Sequence, residues 1–228
     1  MMENINSSKK FVVANWKQNF NLEDIKKWFI GYIKALNGQT PNLKKIIAPS
    51  FLHLKETLDL SKNLGFEISA QDVSLHEKGA HTGEVGAFQL ADYCDYCIVG
   101  HSETGDKLRD ILNKRDLCLK YKITPIICFT DPIDIEVLYR DGVVLTWENP
   151  AHISKEGKYK PENSSKIKRL ITVFKSKLPV DALMLYGGSV NRQNANELGN
   201  IPELDGVLVG NASLDPAHFQ GILEAFEK

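Results

Sequence analysis

The sequence has no apolar run near the roughly 20 residues that a membrane span needs. Its opening, MMENINSSKK, has none of the apolar core that marks an export signal. The expectation is a cytoplasmic protein with no membrane partner. Neither sign of charge is in excess, since 28 Lys and Arg stand against 29 Asp and Glu. Nucleic-acid proteins usually carry a basic excess or a basic face, so no nucleic-acid partner is expected. Cysteine is sparse, with four in 228 residues, too few for a disulfide scaffold. Cys94 and Cys97 have C-x-x-C spacing, but Cys118 and Cys128 lie too far apart to complete a zinc site. A redox pair would place its first Cys at an exposed helix start, whereas this motif runs into an apolar stretch. Packed, reduced thiols are the reading that remains. There is no Pro/Gly/Ser-rich linker, low-complexity tract or repeat, and one domain over residues 1–228 is expected.

What is present is a series of short, nearly continuous apolar runs. They are FVVANW (11–16), KIIAPS (45–50), FEISA (66–70), YCIVG (96–100), ITPIICF (123–129), GVVLTW (142–147), ALMLYG (182–187) and DGVLVG (205–210). Continuous rather than alternating runs suit parallel strands buried on both faces. Helical stripes separate many of them. Ile25, Trp28, Phe29, Tyr32 and Leu36 share one face of 22–36, with Asn21 at the N-cap and Asp24 in the first turn. Leu108, Ile111, Leu112 and Leu119 stripe 106–121. Ile167, Leu170, Ile171, Phe174 and Leu178 stripe 162–178, with Pro161 at the start, and Phe219, Ile222, Leu223 and Phe226 stripe the last helix. Each aromatic stripe reads as core. The segment 130–141 leaves room for only about two or three helical turns.

Eight strand-then-helix units predict an α/β chain folded as a (β/α)8 barrel. The alternative, an open doubly wound sheet, is disfavoured because no Gly-x-Gly-x-x-Gly follows the first strand, which ends in Asn-Trp-Lys.

In such a barrel the site lies at the C-terminal strand ends. Strand one ends at Asn15 and Lys17, strand four at His101, Ser102 and Glu103, and strand six at Glu148. Strand seven ends in Gly187-Gly188-Ser189 and strand eight in Gly210-Asn211. Each has a bland reading taken singly: a solvated lysine, a hydrogen-bonded structural histidine, a capping carboxylate, a tight turn. Together they bring an amine, an imidazole, a carboxylate and two glycine turns to one mouth. Glycine turns let backbone N–H groups approach a phosphate. A carboxylate can take a proton from carbon beside a carbonyl, while an imidazole donates to the carbonyl oxygen. The implied chemistry is enolisation of a small phosphorylated carbonyl compound.

These residues resemble those of the triosephosphate isomerase family. The matching stretches are VVANWKQN (12–19), AQDVSLHEKGAHTGEVGAFQLAD (70–92), IVGHSE (98–103), ITPIIC (123–128), LYGGSV (185–190) and DGVLVGNASL (205–214). They fall in order along nearly the whole chain. The resemblance implies interconversion of dihydroxyacetone phosphate and D-glyceraldehyde 3-phosphate, in glycolysis and gluconeogenesis, with no metal or organic cofactor. It implies Glu148 as base, neutral His101 and Asn15 polarising the carbonyl, Lys17 stabilising the enediolate and phosphate, and Glu103 supporting Lys17. The phosphate would be held at Ser154, Gly188, Ser189, Gly210 and Asn211, with a loop after strand six closing over it. The acid–base pair of this family is a standard illustration of pKa tuning. The stretch from Gly79 to Val85, with Thr82 near its tip, resembles the family's dimer loop, so a homodimer is expected, with a tetramer possible because the fifth helix is short.

The sequence also departs from the family pattern. Two arginines usually follow His-Ser-Glu, and here Thr104 and Gly105 do. The lid sequence is Glu148-Asn149-Pro150-Ala151-His152-Ile153-Ser154-Lys155-Glu156-Gly157, with Ser154 and Glu156 at glycine positions and Ala151 at the tryptophan position. Asn211 stands for the second glycine of the last phosphate turn. Two alternatives follow. One is another phosphate-binding barrel enzyme, although an aldolase would need a Schiff-base lysine that no central strand run supplies. The other is a sugar-phosphate-binding barrel with reduced or lost catalysis.

Overall fold

The computed structural model describes residues 9–38, 40–152 and 159–227. Eight strands pair in parallel and in sequence order: β1 (Lys10–Asn15), β2 (Leu43–Ala48), β3 (Phe66–Ala70), β4 (Tyr96–Val99), β5 (Thr124–Phe129), β6 (Val144–Trp147), β7 (Leu183–Tyr186) and β8 (Gly206–Val209). β8 pairs with β1 and closes the barrel, with Phe11 opposite Gly206. That closure needs glycine. Gly206 has φ +155°, and a Cβ there would lie 2.0 Å from the Phe11 carbonyl oxygen.

The helices form the outer ring: α1 (Leu22–Ala35), α2 (Leu54–Ser61), α3 (Ala87–Leu90), α4 (Leu108–Lys120), α5 (Ile135–Leu138), α6 (Ser164–Lys175), α7 (Ala195–Gly199) and α8 (Pro216–Phe226). Side chains alternate along the strands. Phe11, Val13, Ile46, Ile98, Ile126 and Leu185 fill the barrel, while Val12, Ile47, Val99, Ile127 and Val207 pack outward against helices. Both sets are buried, which is why the strands read as continuous apolar runs.

α1 shows how local sequence fixes an element. The Asn21 side chain accepts from the N–H groups of Glu23 and Asp24, and the Asp24 carboxylate accepts from Asn21 N–H. This reciprocal cap satisfies donors that the first turn leaves unpaired. Ile25, Trp28, Phe29 and Tyr32 are then buried, each contributing about 1.5–3 kcal/mol by leaving water. Trp28 stacks on Tyr32 and donates from Nε1 to the Ser213 carbonyl, tying α1 to the turn after β8.

Three expectations shift. α6 begins at Ser164, capped by Asn163, so Pro161 lies before the helix rather than at its first turn. In α4, Leu108 is exposed, and the inward face is Ile111, Lys114, Arg115 and Cys118. Leu36 lies past the end of α1 and is exposed. The segment 130–141 holds a 3-10 turn (Pro132–Asp134) and the single turn of α5. All four cysteines are buried and unbridged. Burial pushes the Cys94 thiol up to about 12, so it stays protonated at neutral pH. Among the described residues no helix is long and apolar enough to cross a membrane.

Candidate active site

Asn15 ends β1, and its side-chain oxygen accepts the Lys17 N–H at 3.0 Å. Lys17 has φ +51°, a left-handed backbone that carries a strain of about 1–3 kcal/mol in a residue with a Cβ. A second tie holds it. Gln71, just past β3, donates from Nε2 to the carbonyls of Lys17 (2.9 Å) and Ala48 (2.8 Å). The strained turn aims the ammonium across the mouth to Glu103 Oε1, 2.5 Å away.

After β4 the chain turns sharply at Gly100 (φ +70°), where a Cβ would lie 2.8 Å from Ile111 Cδ1. His101 follows and is buried. Its carbonyl accepts from the Thr104 N–H at 2.9 Å and from the Thr104 hydroxyl at 2.8 Å. This tight turn brings the Glu103 N–H to His101 Nδ1 at 3.2 Å. A nitrogen that accepts cannot carry a proton, so the ring is neutral and its proton sits on Nε2. Nε2 faces Glu148 Oε1 at 3.2 Å, and the other Glu148 oxygen accepts from Ser102 N–H at 2.9 Å.

Glu148 follows β6 and is 1% exposed. Beside it lies Cys128 on β5. Burial, then the Glu148 charge, pushes that thiol well above its usual range, so it stays neutral. Gly187 makes room for the carboxylate, because a Cβ there would lie 3.0 Å from Glu148 Cγ. The pocket is lined by Lys17, His101, Glu148, Gly187, Gly188, Val190, Leu208, Gly210 and Asn211.

On the far side of that pocket lie the glycine turns. Gly188 must be glycine, since a Cβ would overlap Tyr186 Oη at 2.0 Å. Asn211 opens a right-handed 3-10 turn, Asn211–Ser213. Positive φ among the described non-glycine residues is confined to Lys17 and Lys122, so position 211 makes no demand for glycine. The Asn211 amide instead donates to Tyr159 Oη at 3.2 Å. Ser189 is buried behind this rim. Its N–H donates to the His152 carbonyl (2.8 Å), and its hydroxyl accepts from Lys160 N–H (3.0 Å). Ser154, the remaining expected phosphate contact, and the lid positions from Ile153 to Gly157 lie outside the described residues.

The structure therefore brings Lys17, Glu103, His101, Glu148, Gly188, Gly210 and Asn211 to one mouth, and Asn15 to the turn beneath Lys17. Sequence reasoning passed over Gln71 and Thr104. Gln71 stood within the matching stretch 70–92 and directly after a strand, a position where polar residues reach the mouth. Thr104 was read only as a lost arginine. Its hydroxyl, which closes the histidine turn, has no signal in one sequence.

The family model described as triosephosphate isomerase matches residues 10–137 and 137–226. The chain is 32% identical over 240 residues to a protein named triosephosphate isomerase from Mesomycoplasma hyopneumoniae, covering 94% of this chain and 98% of that one. It is 32% identical over 247 residues to one of the same name from Polynucleobacter asymbioticus, with 94% and 98% covered. A third, from a Wolbachia of Brugia malayi, is 30% identical over 237 residues, with 95% and 97% covered.

Proposed function

The chain belongs to the triosephosphate isomerase family, and from that premise we propose how its residues interconvert dihydroxyacetone phosphate and D-glyceraldehyde 3-phosphate. The observation that carries the reading is the histidine tautomer. Because Nδ1 accepts from Glu103 N–H, Nε2 keeps its proton and points at the carboxylate of Glu148. A substrate entering between them takes the Nε2–H on its carbonyl oxygen, and Glu148 Oε1 then faces the adjacent carbon. Glu148 removes the carbon proton, the electron pair moves into a C=C bond, and the carbonyl oxygen becomes an enediolate oxygen. His101 and Lys17 stabilise that charge where it develops. The hydroxyl proton passes to the former carbonyl oxygen through the ring of His101, Glu148 returns its proton to the neighbouring carbon, and aldehyde and ketone have exchanged. Glu103 holds the ammonium of Lys17 over the mouth. The substrate phosphate lies at the glycine turns, on backbone groups of Gly188, Ser189, Gly210 and Asn211, with Ser154 as a further contact.

A His101→Gln variant tests this. Loss of a donor used mainly in the transition state lowers kcat by about 10²–10³ and leaves KM within a few-fold. A large rise in KM with kcat retained would assign His101 to ground-state binding instead.

The segment from Lys78 to Glu84 is exposed. Gly79 and Gly83 shape it with positive φ, and the rings of His76 and His81 stack at 3.6 Å. We assign it to a contact between two copies of the chain, with Thr82 at its tip. A soluble cytoplasmic homodimer is the working form that this assignment proposes.

A further inference from the structure

His152 stands directly before residues 153–158, and Lys160 and Glu162 stand just after them. The side chain of His152 joins the two flanks. Its Nδ1 lies 3.0 Å from the Lys160 carbonyl oxygen, and its Nε2 lies 3.1 Å from Glu162 Oε2. Both partners are acceptors. A backbone carbonyl cannot donate, and an ionised carboxylate cannot either. Glu162 stays ionised. Its side chain is 6% exposed, and burial alone would raise it. Bonds from Lys166 Nζ and Asn163 N–H, and the charge of His152, hold it below the ordinary glutamate value. Its Oε2 also accepts from Asn149 Nδ2 at 2.9 Å, which ties the first flank a second time. The imidazolium is the form that presents an N–H to the Lys160 carbonyl and a positive charge to the Glu162 carboxylate at once.

The backbone of the same residue reaches the phosphate side of the pocket, where the His152 carbonyl accepts the Ser189 N–H at 2.8 Å. A phosphate oxygen that uses that N–H has to take it from His152. The imidazolium fixes the peptide that competes with it.

We propose that His152 is a positioning residue for the phosphate site: as an imidazolium bridging Lys160 and Glu162 it holds its own carbonyl on the Ser189 N–H and so weakens anion binding. This rests on the assignment of Ser189 to the substrate phosphate. In the neutral ring the pairing with the Glu162 carboxylate is lost, the carbonyl is no longer held in its fixed position, and the anion competes better. The range to examine is the one in which imidazole side chains ordinarily change charge, about pH 5 to 8. Among the described residues, the groups facing the ring are Glu162, with Lys166 beyond it, and Tyr186 of β7 near Glu162. Burial raises the Tyr186 phenol, so it stays protonated throughout the window. The sign is diagnostic. A histidine acting only through its charge would strengthen anion binding as pH falls, whereas this bridge weakens it.

Sulfate is the probe, because it mimics the phosphate group and does not titrate in this range. Its competitive inhibition constant against D-glyceraldehyde 3-phosphate is measured from pH 5.5 to 8.5 at constant ionic strength. The wild-type constant is expected to rise about fivefold or more from the alkaline to the acid end, the size of one ordinary net hydrogen bond. His152→Gln, which is neutral throughout, is expected to show no such rise and to match the wild-type value at alkaline pH. Glu162→Gln removes the carboxylate charge that pairs with the imidazolium and is expected to flatten the profile likewise, so the inference remains testable if one variant fails to fold. A single profile shared by all three chains would overturn the role of His152 and leave the phosphate assignment standing. Sulfate that fails to compete with substrate at any pH would remove the phosphate assignment, and this inference with it.

Discussion

Lys17 shows how the position of a proposed site residue depends on other side chains that hold it. Its left-handed backbone is held by Asn15 from β1 and Gln71 from the end of β3. Replacing Gln71 with Leu removes the tie and leaves the carbonyls of Lys17 and Ala48 without their donor. The expected result is a fall in kcat/KM of roughly tenfold to a hundredfold, because a misplacement near 1 Å is enough for that loss. Steady-state kinetics reads it, and unchanged kinetics would show that Lys17 holds its own conformation. At this scale the location of the proposed site was legible, since Asn15, Lys17, His101, Glu103 and Glu148 stand at or just past strand ends, where the barrel directs them to the mouth. Asn211 was visible but its reason was not. It stands at a position where the family has glycine, yet the turn there is right-handed and the amide reaches Tyr159. The partner lies 52 positions away in sequence, and no local pattern encodes that contact.

Helix α4 shows the same limit for whole elements. Its apolar stripe predicted an inward Leu108, but Lys114 and Arg115 are buried instead. Lys114 Nζ sits 2.7 Å from Asp72 and 2.8 Å from Asp106, which lie in the loops after β3 and β4. Arg115 donates to the carbonyls of Val137 and Leu138 at the end of α5. Periodicity assigns charge to the solvent face, so it cannot find a charge whose partners come from distant loops. Burial tends to lower the Lys114 value, and the bonds to Asp106 and Asp72 outweigh it and raise the net value above 10.5. A raised lysine contributes its stability in full below its unfolded value and loses it as pH rises through the folded one. Lys114→Met therefore carries its whole penalty at neutral pH, on the order of 3 kcal/mol, because it strands two carboxylates. For a chain of this length that lowers Tm by roughly 10 °C. Thermal unfolding checks it, and a variant as stable as the wild type would mean the carboxylates find water. Strands were more legible than helices. Each strand is buried on both faces, so its apolar run carries the signal alone, whereas the one-turn helices α3, α5 and α7 are too short for a period to register.

For the whole molecule, eight buried runs with helices between them were enough to predict a closed parallel barrel, and the closure through Gly206 supplies its last seam. The exposed Gly79–Glu84 segment predicts a second copy of the chain as its partner. Sedimentation equilibrium at micromolar concentration is expected to give the mass of two chains, and a monomer under those conditions would count against that contact. The barrel also brings Glu148, from β6, against His101, from β4, which no stretch of sequence shows directly.

The most direct test of the account is the conversion of D-glyceraldehyde 3-phosphate in deuterium oxide by the wild type and by Glu148→Gln. The wild type is expected to turn the substrate over and to place solvent deuterium on carbon, because the proton held by a carboxylate exchanges with water. Glu148→Gln is expected to lose both by about 10²–10⁴. A glutamine variant that keeps more than about a tenth of the turnover, a loss far below that of a general base, would contradict the assignment of Glu148 as the base.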